Sequence, residues 1–397
     1  MTDFTATRAM FDLPSGVIYL DGNSLGPLPR HVAERVSHAI TDEWGKLLIT
    51  GWNKAGWMDL PARVGNRVGK LIGAPEGSVT MGDTLSIKVY QALASALELR
   101  EERRVILSDT GNFPSDLYMA DGLCRTLGAG YQLKTVAPEE VESALDDTIA
   151  VLMITEVDYR TGRKHDMARL IARAHEVGAL TVWDLAHSAG AIPVNVAGTD
   201  TDFAVGCSYK YLNSGPGGPA FIYVAPRIAQ QVRPALSGWL GHEAPFAFDL
   251  DYRPGAGVER MRVGTPPILQ LAALDAALDV WEGVNIDDLR ERSLQLQQAF
   301  LSIVEAGCSE LALASPRNPD ERGSQLSFRH EHGYAIIQAL IAEGVIGDFR
   351  APDILRFGFT PLYLSQHDVE KAAQTLCTIM AERRWDKAEF HHRAKVT

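Results

Sequence analysis

The chain is 397 residues long and 46% hydrophobic, enough for two domains around a well-buried core. Its 38 basic side chains against 50 acidic ones leave a formal charge of −12, which argues against a general attraction to nucleic acid or to an anionic membrane. Any anionic ligand must therefore be caught by local geometry.

At the N-terminus, residues 1–7 carry neither a basic n-region nor an apolar h-region, and no uncharged apolar run approaches the roughly 20 residues that span a bilayer. A soluble, cytoplasmic protein without membrane or nucleic-acid partners is expected. Trp52 and Trp57 flank a short polar stretch and suit either an aromatic wall or packing. The segment Gly82-Asp83-Thr84-Leu85-Ser86-Ile87 precedes a helical run from Val89 to Leu97. Strands are expected at 104–109 and 150–155, a helix with one apolar face over 167–177, and further strands at 179–184, 202–208 and 220–224. The last gap, through Gly215-Pro216-Gly217-Gly218, is too short for a helical crossover, so the final strand should return antiparallel. A long helix follows Pro266-Pro267 and reaches Trp281. Beyond residue 285 the pattern becomes mixed helix and strand, including Ile354 to Phe359, and the charged stretch from Arg383 reads as a solvated helix end. The fold class is α/β with a mostly parallel sheet and one antiparallel strand, plus a smaller α+β domain. The expected division is an N-terminal arm with part of the small domain (1–59), a large domain (60–282) and a C-terminal small domain (283–397).

Open α/β sheets bind ligands at the carboxyl ends of their strands, and the polar residues of the central region collect there. Asp184 ends one expected strand, and Lys210, 26 residues on, follows another. Alone, the aspartate would pass for a turn residue and the lysine for a solvated one. Together they match the needs of pyridoxal phosphate (PLP): a carboxylate to keep a pyridinium nitrogen protonated, and an amine to form a Schiff base and then shuttle protons. The turn at residues 82–87, opening a helix, supplies small residues, hydroxyls and free N–H groups for a phosphate. Phe113 follows a strand and could cover one face of a flat ring; His187, three residues after Asp184, could pack on it or hydrogen-bond to it.

The blocks Tyr19 to Gly26, Phe113-Pro114-Ser115-Asp116, Asp158 to Gly162, Trp183 to His187, Ser208 to Asn213, Arg262 to Ile268, Leu355-Arg356 and Pro361 to Tyr363 together resemble the kynureninase family. This is a PLP-dependent family of the aspartate aminotransferase superfamily, fold type I. The resemblance implies that Lys210 carries the cofactor, that Asp184 binds its ring nitrogen, and that Tyr209 donates to the phosphate and takes part in proton transfer. It further implies phosphate contacts from Leu85 and Ser86, ring stacking by Phe113, and a shell completed by Pro114, Ser115, Asp116, Thr155 and His187. Trp239 and Thr265 would reach the phosphate of a partner subunit, making the active site a shared property of a homodimer. Arg356 is expected on the substrate α-carboxylate, since guanidinium grips carboxylate through two parallel hydrogen bonds; Asn23 and Trp52 are expected at the substrate. No metal is expected.

The implied reaction is hydrolysis of L-kynurenine, with 3-hydroxykynurenine as an alternative substrate, at the Cβ–Cγ bond to anthranilate and L-alanine in tryptophan catabolism. The alternative within the fold is a cysteine desulfurase or selenocysteine lyase, which needs a mobile nucleophilic cysteine. Of Cys124, Cys207, Cys308 and Cys377, which include no CxxC pair, only Cys308 is expected at the surface. A ligand-responsive regulator of the same fold would carry an added DNA-binding segment or lack the lysine, and neither is seen.

Overall fold

A computed structural model describes residues 1–393. Its centre is a seven-stranded sheet made of β1 (Val79–Met81), β2 (Val105–Asp109), β3 (Gln132–Val136), β4 (Ile149–Thr155), β5 (Leu180–Asp184), β6 (Phe203–Gly206) and β7 (Phe221–Val224). The spatial order is β1-β7-β6-β5-β4-β2-β3. Only β7 runs against its neighbours, pairing antiparallel with both β6 and β1, as the short glycine-rich connection requires.

Sequence and position in the sheet agree. All seven residues of β4 are buried, as an unbroken Ile-Ala-Val-Leu-Met-Ile-Thr run demands of a strand covered on both faces. The edge strand β3 is mostly exposed, and its Gln-Leu-Lys-Thr-Val pattern is that of a strand with one wet face. The helix Met167–Glu176 buries Met167, Leu170, Ile171 and Ala174 on one side; Asp166 caps it through the Arg169 N–H, and Gly178 at φ +79° follows its end. The predicted long helix is α-helical over Ile268–Ala277 and tightens to 3-10 geometry over Leu278–Trp281.

A second, four-stranded antiparallel sheet lies toward the C-terminus, with Asp348–Arg350, Ile354–Gly358, Gln325–Arg329 and Ala312–Leu313 side by side in that order. The helices Ile286–Gly307 and Gln366–Ala381 pack on each other beside it. The N-terminal arm is tied to this region: Ile18–Tyr19 pairs in parallel with Val345–Ile346, and the Gly358 N–H donates to the Leu20 carbonyl at 2.6 Å. The expectation for the tail needs correction. The helix stops at Ala381, and Trp385 is buried against His332, with ring centroids 4.5 Å apart. An indole with an apolar face to cover wins over solvation of its charged neighbours; residues 394–397 lie outside the described residues.

Candidate active site

At the carboxyl ends of β4, β5 and β6 a cleft is lined from three directions. Asn23 and Ser24 come from the N-terminal arm; Leu85, Phe113, Tyr159, Asp184, His187, Tyr209 and Lys210 come from the loops of the large sheet; Arg350 and Arg356 come from the C-terminal sheet.

Asp184 is the last residue of β5 and sits in register with Thr155, the last residue of β4. Its Oδ1 accepts the Ala186 N–H at 2.8 Å and its Oδ2 accepts the Thr155 hydroxyl at 3.4 Å. Asp116, in the first turn of the helix Pro114–Leu127, is equally buried, and its carboxyl group shares a hydrogen bond with that of Asp184. Burial pushes Asp116 well above the usual carboxylate range, and the charge of Asp184 adds to that. Burial also raises Asp184, while the positive charge of Lys210 pulls the other way. Two buried carboxylates that both want a proton form a site for a protonated ring nitrogen.

Lys210 follows β6, in a turn held by the Gly26 N–H on the Tyr209 carbonyl at 2.7 Å and the Asn213 N–H on the Lys210 carbonyl at 3.1 Å. Its Nζ lies 2.9 Å from His187 Nε2 and 6.0 Å from the ring centre of Phe113. Phe113 stands edge-on to Tyr159 at 5.1 Å. Burial, with the charges of Lys210 and the two arginines, pushes His187 well below the ordinary histidine range, so its imidazole is neutral. When Nε2 accepts from Lys210, the ring proton sits on Nδ1, which is buried and unpartnered.

Beside these groups two helix N-termini converge. The helix Leu85–Glu98 begins after Thr84 and the helix Pro114–Leu127 after Phe113, neither with a side-chain cap, and Ser86 Oγ lies 2.9 Å from Ser115 Oγ. Uncapped N–H groups and paired hydroxyls make an anion cradle.

Arg356 is buried in the strand Ile354–Gly358. It donates to the Tyr159 carbonyl at 2.5 Å, to Ser24 Oγ at 2.9 Å and to Asp348, while its Nε is left without a partner. Arg350 donates to the other oxygen of Asp348 at 2.8 Å. Both polar atoms of the Asn23 side chain are buried without partners at the same cleft.

The expected residues Lys210, Asp184, Tyr209, Leu85, Phe113, His187, Arg356 and Asn23 thus meet at one cleft, with Asp116, Thr155, Ser86, Pro114 and Ser115 directly behind or beside them. Three others lie elsewhere in this chain. Trp52 packs edge-on against Trp57 at 5.6 Å, Trp239 is 42% exposed and edge-on to Phe246, and Thr265 is exposed. Sequence reasoning assigned no role to Ser24, Tyr159 or Arg350. For Arg350 the available signal was alternation, since residues 348 and 350 point to one face of a strand.

Comparison with known proteins decides the family. The chain is 49% identical to a kynureninase of Pseudomonas fluorescens over 98% of its own length and 95% of that protein, and to a kynureninase of Burkholderia pseudomallei over the same shares. The chain belongs to the kynureninase family. A family profile described as the kynureninase C-terminal domain matches residues 289–376, the stretch that carries Arg350 and Arg356. The fold extends beyond kynureninases: a cysteine desulfurase from Thermococcus onnurineus superposes with a TM-score of 0.80 at 19% identity, covering 96% of this chain and 99% of that one. One expectation about the cysteines of this kynureninase-family chain needs correction. Cys308 is not at the surface; it is 4% exposed, with its sulfur 3.1 Å from that of Cys377, because the end of the helix Ile286–Gly307 packs on the helix Gln366–Ala381. Cys124 and Cys207 are buried as well.

Proposed function

We propose that the chain hydrolyses L-kynurenine between Cβ and Cγ, with pyridoxal 5′-phosphate as its cofactor, in tryptophan catabolism. One water is consumed: its oxygen ends in the carboxylate of anthranilate, and Cβ takes up a proton to become the methyl group of L-alanine. The observation that carries the chemistry is the buried Asp116–Asp184 pair facing Lys210, in a chain of this family. The residues fit the cofactor: Asp184, buried at the cleft with its proton affinity raised and backed by Asp116, suits a ring N–H, and the two uncapped helices with Ser86 and Ser115 suit a phosphate.

When bound, the cofactor supplies an electron sink conjugated to the substrate Cα. Arg356 holds the α-carboxylate and so fixes the Cα–H bond relative to Lys210. Lys210 removes and returns the proton at that carbon. His187, neutral and 2.9 Å away, accepts a hydrogen bond from the lysine and keeps it oriented. The Tyr209 phenol is pushed up by the adjacent Cys207 and by burial, so it stays protonated and acts as a donor. Asn23 offers an unused donor and acceptor to a polar group of the substrate.

The site is completed in a homodimer, with Trp239 and Thr265 serving the cleft of a second copy; the exposure of Trp239, Phe246 and Phe248 supports that reading. Four free cysteines support a reducing, cytoplasmic setting, and among the described residues no helix is long and apolar enough to cross a membrane.

The deciding experiment is an absorbance spectrum of the PLP-loaded protein, followed by addition of L-kynurenine or 3-hydroxykynurenine with detection of the released aromatic acid. A visible band with release of anthranilate is the expected result, and both are lost in Lys210→Ala. A band without release from either substrate sinks the substrate assignment, and no band after reconstitution overturns the cofactor.

A further inference from the structure

Beneath the anion cradle lies a lysine that the chemistry above does not use. Lys88, in the first turns of the helix Leu85–Glu98, is 1% exposed. Its Nζ donates to Asp83 Oδ2 at 3.0 Å, Gln91 Oε1 at 3.0 Å and the Met261 carbonyl at 3.2 Å. Gln91 donates to the same carbonyl at 3.1 Å. One buried ammonium therefore ties together the turn that opens the helix, the helix itself and the segment leading to Arg262 and Thr265.

The turn explains why the aspartate is there. Asp83 has φ +55°, a left-handed backbone that among non-glycine residues favours Asn and Asp, and its carbonyl accepts the Ala220 N–H at 3.1 Å. An unneutralised carboxylate two residues before Leu85 would repel an anion and compete for the same helix N-terminus. A neutral Asn would satisfy the backbone equally well. The chain instead carries Asp with a buried lysine against it.

We propose that Lys88 is a positioning residue of the phosphate site: it cancels the Asp83 charge at the mouth of the helix. The inference rests on the proposed reading of that helix N-terminus as a phosphate site. Burial, with the nearby charge of Arg262, weakens the lysine's hold on its proton, and the Asp83 carboxylate opposes that loss.

The test is the dissociation constant of PLP, measured by equilibrium dialysis on the full-length protein after removal and re-addition of PLP. Lys88→Met should weaken PLP about tenfold or more, the scale of one like-charge contact in partly solvated protein. The double variant Asp83→Asn/Lys88→Met should recover to within about threefold of the parent, because removing both partners leaves no orphaned charge. Asp83→Asn alone, which keeps the turn, should bind PLP no more weakly than the parent, and it decides the matter if Lys88→Met fails to fold. Unchanged PLP affinity in Lys88→Met, a double variant as weak as the single one, or weaker binding by Asp83→Asn overturns the inference. A parent protein that binds no PLP overturns the cofactor reading instead.

Discussion

Asp348 stands directly opposite Arg356 across an antiparallel pair of strands, and the two side chains form a buried ion pair. Ser24 Oγ donates to the same Asp348 oxygen at 2.9 Å. The guanidinium is thus aimed before any substrate arrives, and part of its donor set is already in use. Arg356→Lys keeps the charge but loses the planar fork. Steady-state kinetics should show KM for L-kynurenine raised by about 10-fold to 100-fold, the worth of a charge-assisted hydrogen bond, with a smaller fall in kcat. An unchanged KM would remove Arg356 from the carboxylate site.

The two buried carboxylates should respond differently to neutralisation. Asp184→Asn takes away the group that keeps a ring nitrogen protonated and should lower kcat by about 100-fold or more. Asp116→Asn removes the cost of burying a carboxylate and its repulsion from Asp184, so the PLP-free protein should melt at a higher temperature at pH 8 than the parent. Calorimetry of PLP-free protein beside kcat measurements separates the two roles.

Glu156 provides a pH test on a buried side chain with no part in the proposed chemistry. Burial pushes it up to about 7 from an ordinary value of 4.5, against the opposing pull of Ser188. Between those values the folded protein holds a proton that the unfolded chain has released, so its contribution to stability is intact below about pH 4.5 and is lost as pH rises toward 7. Glu156→Gln should raise Tm by about 2 °C or more at pH 8 and change it little at pH 4.5. A Tm difference independent of pH would contradict this.

Cys308 and Cys377 bear on the desulfurase alternative. Burial and the neighbouring thiol push Cys308 upward, away from the thiolate form a nucleophile needs. Cys308→Ala should leave kynurenine cleavage within about twofold of the parent and cost only packing, on the order of 1 kcal/mol by chemical denaturation. Loss of turnover without loss of stability would revive a cysteine mechanism.

Legibility in the sequence followed burial and length. The interior strands β2, β4, β5, β6 and β7 announce themselves because continuous apolar runs are what a doubly covered sheet needs. β1 and β3 were not anticipated: the first has three residues, too few for a periodicity, and the second alternates polar and half-buried residues at an edge. In the site, Asp184 and Lys210 were legible because each ends or follows an apolar strand. The pairing of Ser24, Asp348 and Arg350 around Arg356 was not, since it depends on the arm at residues 18–26 meeting the C-terminal sheet, a contact no local pattern encodes.

That meeting has a consequence for how the protein is made. Ser24 and Arg356 are separated by 332 residues, yet they share a hydrogen bond at 2.9 Å. On the ribosome, Asp184 and Lys210 emerge well before Arg356 does, and domains generally fold as units in order of synthesis. The grip on the amino-acid end of the substrate is therefore the last part of the cleft to be assembled, waiting on the strand that carries Arg356.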